Sequence, residues 1–167
     1  MNRYMAQPLS RGDIRKMAWK LRRQFHLADK LYFPIVHFVE IVLPQIYDDF
    51  LFRVLPVEEL GSLHGRTFPD EKIMEIREDV YNGASSGSGR DRLTIAHELG
   101  HFCMHPEQSI SFARGTIKTY CDPEWQASAF AGELLIPMYR VGNMDPYEIS
   151  NECGVSFDAA CYQLSKK

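Results

Sequence analysis

The sequence predicts a single domain of the mixed α and β class, in which helices precede and follow a short run of strands. The chain has 167 residues, of which 45% are hydrophobic, and this is enough to bury one core. Strand-like segments fall between about residues 50 and 80. The segments on either side carry apolar residues at helical spacing. We therefore expect one domain over 1–167, with a small sheet between two helical parts.

The N-terminal part, about residues 12–48, is predicted to contain two helices. The first has a basic face, which is typical of the solvated side of an amphipathic helix; a docking surface for an acidic partner is the alternative. This face carries Lys16, Lys20, Arg22 and Arg23. The second helix begins at Pro34 and is interrupted or ends near Pro44, because proline lacks the amide proton that an interior helical residue donates.

The predicted sheet, about residues 50–80, rests on two strands over 50–55 and 72–77, with a short third strand over 61–66. Residues 82–90 are rich in glycine and serine. They predict a flexible loop, which is either a plain connection or a mobile rim over a cleft.

A helix over about 91–105 contains the pentapeptide His97-Glu98-Leu99-Gly100-His101. Residues i and i+4 lie on one face of a helix, so both imidazoles can reach one metal ion. Glu98 lies beside that face, where it can take a proton from water. This HExxH pattern predicts a metal-dependent hydrolase.

A catalytic zinc site needs three protein ligands and one open position. His105 is too far along a straight helix, since its rise from His97 is roughly 12 Å. A second helix, predicted over about 123–136 and capped by Asp122, offers Glu124. The face that Glu124 shares with small residues would let this helix pack closely against Gly100. Glu133, deeper in the same helix, is the alternative ligand.

Two segments resemble the ImmA/IrrE family of metallopeptidases. That family has an HELGH-type helix with a nearby Leu-His, followed by a helix of pattern E-x-x-A-N-x-F-A-x-x-L-L-x-P. Residues 97–105 resemble the first motif and residues 124–137 the second, while residues 92–96 resemble its R-F-T-L-A lead-in. The resemblance extends over about residues 30–165. Ser128 and Met104 replace the usual Asn and Leu, and neither is a predicted ligand.

The resemblance implies a small α+β zincin-like fold, with a short, mostly antiparallel sheet packed against the HExxH helix and several other helices. It also implies that Glu124 is the third metal ligand. The substrate in this family is often a helix-turn-helix repressor, so a repressor or antitoxin is the expected protein partner.

The predicted chemistry is zinc-assisted hydrolysis of a peptide bond, with the ion held by His97, His101 and Glu124. Glu98 acts as general base and then returns its proton to the leaving amine. This ligand set favours Zn²⁺, with Mn²⁺ or Fe²⁺ as substitutes. The developing oxyanion needs a further donor. The candidates by proximity in sequence are His105, Tyr120 and Arg114.

The C-terminal part, about residues 145–166, predicts two helices around a glycine turn, the second capped by Ser156. The turn is similar to that of helix-turn-helix proteins, but the second helix lacks the basic residues of a DNA reader. The net charge of −3 likewise gives no reason to expect nucleic-acid binding. We expect this part to pack on the core.

No signal peptide or membrane span is recognisable, so a cytoplasmic protein is expected. The four cysteines form no CxxC pair and predict free thiols.

Three functions are compatible with this sequence. The first is an endopeptidase that cuts a repressor or antitoxin, in a prophage or toxin–antitoxin locus. The second is a non-proteolytic binding module that the metal only stabilises. The third is a toxin that acts on another cellular target. A retained Glu98 favours hydrolysis, since a structural zinc site needs no general base.

Overall fold

The computed structural model describes residues 3–167, which form ten α-helices, five strands and three short helical turns of other types. The strands are β1 (Arg3–Ala6), β2 (Leu51–Leu55), β3 (Gly65–Phe68), β4 (Ile73–Arg77) and β5 (Ile110–Ala113). The α-helices are α1 (Arg11–Gln24), α2 (Ile35–His37), α3 (Leu43–Ile46), α4 (Val57–Leu60), α5 (Glu78–Ser85), α6 (Gly89–Met104), α7 (Pro123–Leu135), α8 (Met138–Val141), α9 (Pro146–Cys153) and α10 (Phe157–Leu164).

The strands form two small sheets, and the α+β prediction is confirmed. One sheet has the order β2-β4-β3, in which β2 runs parallel and β3 antiparallel to the central β4. The other joins β1 and β5 as an antiparallel pair. Met74 and Ile76 of β4 are fully buried and contribute to the same core as the helices. Strands β1 and β5 were not predicted, because each has only four residues and pairs with a distant segment of the chain.

The two longest helices of the second half, α6 and α7, pack directly against each other. Gly100 makes this possible, because a Cβ atom there would lie 3.1 Å from Ala127 Cα and 3.3 Å from Phe130 Cβ. The predicted close approach at Gly100 is confirmed. Asp122 caps α7 by accepting the Glu124 amide proton at 3.0 Å, and Pro123 occupies the first turn. The sequence therefore places Glu124 beside α6.

The predicted loop over 82–90 is wrong for most of its length. Its first part belongs to α5 and its last two residues to α6, which leaves only residues 86–88 between the helices. Two of its three glycines are required by close packing: a Cβ at Gly83 would collide with Asp91, and one at Gly89 would collide with the backbone of Val155. The third, Gly87, has a φ of 93° and lies in the short connection between α5 and α6.

Residues 35–46 form one continuous helical segment that passes through Pro44, with a π-helical turn over Phe38–Val42 between α2 and α3. The wider turn shifts the hydrogen-bond pattern just before the proline, which cannot donate. The predicted interruption is therefore a local change of helix type.

The C-terminal helices α9 and α10 meet at Gly154, whose φ of 64° is left-handed. Arg92 of α6 ties this turn to the core: its guanidinium donates to the carbonyls of Cys153, Gly154 and Phe33. The predicted packing of this part on the core is what the structure has. All four cysteines are free thiols.

Within residues 3–167, none of the helices combines the length and apolar character that a bilayer crossing requires.

Candidate metal centre

Three of the predicted side chains meet between α6 and α7. His97 and His101 lie one turn apart on α6, and Glu124 lies in the first turn of α7. The two Nε2 atoms are 3.0 Å apart. Glu124 places Oε2 3.2 Å from His97 Nε2 and Oε1 3.3 Å from His101 Nε2. Within residues 3–167, these three form the one cluster of His, Cys, Asp or Glu side chains with the spacing of metal ligands.

These separations fit a single metal ion. With bonds of about 2.0–2.1 Å, neighbouring ligand atoms in a tetrahedral zinc site lie about 3.3 Å apart. The observed distances between the two imidazoles and the carboxylate fall at or just below that value. Three protein ligands also leave the fourth position open, as in catalytic and not structural sites.

The charge of the cluster suits a divalent cation. Glu124 brings a carboxylate to the two imidazoles, and its side chain is 72% exposed. An anionic oxygen and two imidazole nitrogens form the donor set that zinc prefers.

Glu98 lies next to the cluster, with only 7% of its surface exposed. The Thr67 hydroxyl of β3 donates to Glu98 Oε2 at 2.7 Å. Gly65, also on β3, leaves room for the stem of Glu98, since a Cβ there would lie 2.9 Å from Glu98 Cγ. Strand β3 thus holds a carboxylate beside the cluster, which is where a general base belongs.

The outer nitrogens of both imidazoles have partners. His97 Nδ1 lies 3.2 Å from Ser128 Oγ, and His101 Nδ1 lies 2.9 Å from His105 Nδ1. His105 in turn places Nε2 2.8 Å from Gln126 Oε1. Burial lowers the pKa of His105 to about 4, so this ring is neutral. Such contacts fix ring orientation in metal sites.

The remaining sequence candidates lie elsewhere or are already engaged. Glu133, the alternative ligand, is buried and accepts hydrogen bonds from Arg11 and Arg15 at 2.9 Å each. His105 has a partner at each ring nitrogen and cannot serve as an oxyanion donor. Arg114 and Tyr120 are exposed and do not line the cavities at the cluster.

Two cavities border the cluster, one on each side. One, of about 880 Å³, is lined by His101 and Glu124. The other, of about 470 Å³, is lined by His97 and Glu98.

Sequence reasoning missed Thr67, Gln126 and the orienting role of His105. Thr67 is remote in sequence from the HExxH motif. Gln126 lies two residues after Glu124, and residues two apart do not share a face of a helix. Ser128 did carry a signal, since it lies four residues after Glu124 on the ligand face.

Comparisons with known proteins agree with this geometry. The family model Peptidase_M78, described as the IrrE N-terminal-like domain, matches residues 58–165. No curated protein matches the chain significantly.

Among solved structures, a Mycobacterium tuberculosis transcriptional regulator has a similar fold, with a TM-score of 0.59 and 18% identity. That similarity covers 92% of this chain and 47% of the regulator, so the chain spans about half of the regulator's length. At this identity it is evidence for the fold alone. Because the family model covers well over half of the sequence, the chain belongs to the IrrE N-terminal-like family of zinc-type metallopeptidases.

Proposed function

We propose that this protein is a zinc-dependent endopeptidase that hydrolyses a peptide bond in another protein. His97, His101 and Glu124 hold the ion, and Glu98 is the catalytic residue. The observation that carries the proposal is the buried carboxylate of Glu98, oriented by Thr67 beside a three-ligand cluster. A site that only stabilised the fold would need no such carboxylate.

When bound, zinc supplies a Lewis acid that polarises the substrate carbonyl and increases the acidity of water. Glu98 accepts the proton of the attacking water and later returns it to the leaving amine. The Thr67 hydroxyl holds one carboxylate oxygen, so the other is left to take the proton. The burial of Glu98 keeps bulk water from competing for that proton.

The proposed substrate is a helix-turn-helix repressor or an antitoxin. Two observations support it: the ImmA/IrrE motifs of residues 92–137, and a similar fold in a protein described as a transcriptional regulator. Zinc is the proposed ion, with Mn²⁺ and Fe²⁺ as substitutes to compare.

The test is the Glu98→Gln variant, which keeps the size of the side chain and removes the base. Wild-type and variant protein are loaded with zinc and incubated with a proteome-derived peptide library and with the repressor or antitoxin encoded nearby. Mass spectrometry measures cleavage, and elemental analysis measures bound metal. We expect the variant to bind one zinc ion and to lose cleavage by at least about a hundredfold.

The matched control is Glu152→Gln, at an exposed position of α9, which should cleave like the wild type. Cleavage by zinc-loaded Glu98→Gln at the wild-type rate would refute the general base. Regulation of the partner by that variant without cleavage would favour the non-proteolytic binding module.

A further inference from the structure

We propose that Gln126 and His105 are positioning residues that fix the orientation and the proton of His101, so that its Nε2 lone pair faces the metal ion. We call the chain of contacts from Gln126 through His105 to His101 the histidine–glutamine relay. The inference rests on the proposed function, since it assigns a role in holding the same ion.

The relay begins at two backbone carbonyl groups, which can accept hydrogen bonds but cannot donate them. Gln126 is fully buried on α7, and its Nε2 donates to the carbonyls of Gln7 and Tyr120 at 2.8 Å each. A carbonyl can only accept a hydrogen bond, so the amide nitrogen has to face these two oxygens. The amide oxygen of Gln126 is then forced to face His105.

The next contact places the proton of His105. Its Nε2 lies 2.8 Å from Gln126 Oε1, which can only accept, so Nε2 carries the hydrogen. The His105 residue is only 6% exposed, so its ring nitrogens face protein groups and not bulk water. With the hydrogen on Nε2, His105 Nδ1 is the ring nitrogen that can accept a hydrogen bond. It faces His101 Nδ1 at 2.9 Å.

The last contact sets the state of the ligand itself. His101 has to carry its proton on Nδ1 in order to donate to His105, and a neutral His101 then has its lone pair on Nε2. That Nε2 is the atom that lies 3.3 Å from Glu124 Oε1 and 3.0 Å from His97 Nε2. The relay thus favours the His101 tautomer with its proton on Nδ1, which is the tautomer that binds a metal ion through Nε2.

The other imidazole is held differently. His97 Nδ1 has one partner, the Ser128 hydroxyl at 3.2 Å, and a hydroxyl can either donate or accept. Nothing in that contact dictates the His97 tautomer. The metal affinity should therefore depend on the relay more strongly than on Ser128.

The relay also connects the metal centre to the N-terminal segment. The carbonyl of Gln7 belongs to the stretch between β1 and α1, whose Gln7 and Leu9 amides donate to the carbonyls of Ser109 and Tyr120. These backbone hydrogen bonds hold the two acceptors of Gln126 in place. The segment is far from the HExxH motif in sequence, yet it fixes one of its histidines.

The Gln126→Met variant tests the relay, since methionine fills a similar volume and makes none of the three hydrogen bonds. The first readout is zinc affinity, measured by competition with a chromophoric chelator. The second is the His101 tautomer in metal-free protein, from nitrogen-15 chemical shifts of the ring. We expect zinc affinity to fall by about tenfold to a hundredfold and His101 to show a mixture of tautomers.

Gln163→Met is the matched control, because Gln163 is an equally buried glutamine (1% exposed) outside the relay. Its Oε1 accepts from Arg11 at 2.7 Å. This variant should lower thermal stability while zinc affinity and the His101 tautomer stay at their wild-type values. The control separates loss of the relay from the general cost of removing a buried amide.

A second pair of variants keeps the proposal testable if Gln126→Met does not fold. His105→Leu removes the acceptor of the His101 proton, whereas His105→Asn retains an amide oxygen near the position of Nδ1. We expect zinc affinity to be highest in the wild type, lower in His105→Asn and lowest in His105→Leu. Wild-type affinity in His105→Leu or in Gln126→Met would overturn the relay.

The results for the relay variants can be told apart from a failure of the proposed function. A wild-type protein that binds no zinc would refute the metal centre itself. A wild-type protein that binds zinc with the same affinity as the relay variants would refute the relay alone and leave the peptidase proposal standing.

Discussion

At the scale of single residues, the site depends on how Glu98 is held. Its carboxylate is buried, and a buried polar group has to find a hydrogen-bond partner inside the protein. Thr67 supplies one donor to Oε2 at 2.7 Å. Because Thr67 lies on β3 and Glu98 on α6, the proposed general base is oriented by the sheet, while the proposed metal ligands are oriented by the helices.

Thr67→Val should reduce hydrolysis without releasing zinc. Valine has nearly the shape of threonine but donates no hydrogen bond to Glu98. A hydrogen bond to a charged group contributes about 1.5–3 kcal/mol, so kcat/KM should fall by roughly tenfold to a hundredfold. Steady-state kinetics on a cleaved peptide measures this change, and chelator competition measures the zinc affinity.

Thr116→Val is the control for that substitution, because Thr116 is exposed and outside the cavities at the cluster. It should retain wild-type kinetics. If Thr67→Val hydrolysed the peptide as fast as the wild type, the orienting role of Thr67 would be wrong. If it lost zinc as well, Thr67 would act on the fold of the centre and not on Glu98.

At the scale of elements, the centre depends on the contact between α6 and α7. Helix α6 carries two of the proposed ligands and α7 carries the third, so the spacing of the helices sets whether Glu124 reaches the proposed ion. The two helices are close together at Gly100: a Cβ atom added there would lie 3.2 Å from the carbonyl oxygen of Ala127.

Gly100→Val should therefore weaken zinc binding although Gly100 touches no ligand atom. The isopropyl group of valine has to push α7 away from α6 and carry Glu124 with it. Overpacking of this kind costs about 1–3 kcal/mol of the free energy of unfolding. We expect a lower melting temperature by calorimetry together with a lower zinc affinity.

Gly12→Val is its matched control, at an exposed position of α1 where the only near atom is the Ser10 side chain at 3.6 Å. Valine there should leave zinc affinity unchanged. Equal zinc affinity in Gly100→Val and the wild type would mean that Glu124 does not depend on the helix spacing.

How much of the elements could be predicted depends on how local their signals are. The caps of α7 and α10 were visible because Asp122 and Ser156 bond to amides two or three residues away. The sequence predicts a long loop where the structure has only the short α5–α6 turn. The reason is that Gly89 is required by a neighbour distant in sequence, since it packs against the backbone of Val155. Sequence periodicity carries no information about such a neighbour.

At the scale of the whole molecule, the centre gathers contributions from four separate parts of the chain. The ligands come from α6 and α7, the base is held by β3, and the relay ends at the segment before α1. The C-terminal helices are attached to α6 through Arg92, whose guanidinium also lies 4.0 Å over the Tyr32 ring.

The candidate site was predictable only where one helix face or one motif contained it. His97, His101 and Glu98 lie within five residues, and Glu124 followed from a helix face and from a family resemblance. The partners of Glu98 and His101 were not predictable, because Thr67 and Gln126 approach through tertiary packing. Burial of a polar side chain, as at Gln126, becomes visible only once the fold is known.

The central claim is that one ion is held jointly by α6 and α7. Its most direct test is the anomalous difference map of zinc-loaded crystals, recorded at the zinc absorption edge. We expect one peak at about 2.0–2.2 Å from His97 Nε2, His101 Nε2 and a carboxylate oxygen of Glu124. A zinc peak at Glu133 or at a cysteine, or a Glu124 side chain turned away from the two imidazoles, would contradict the account.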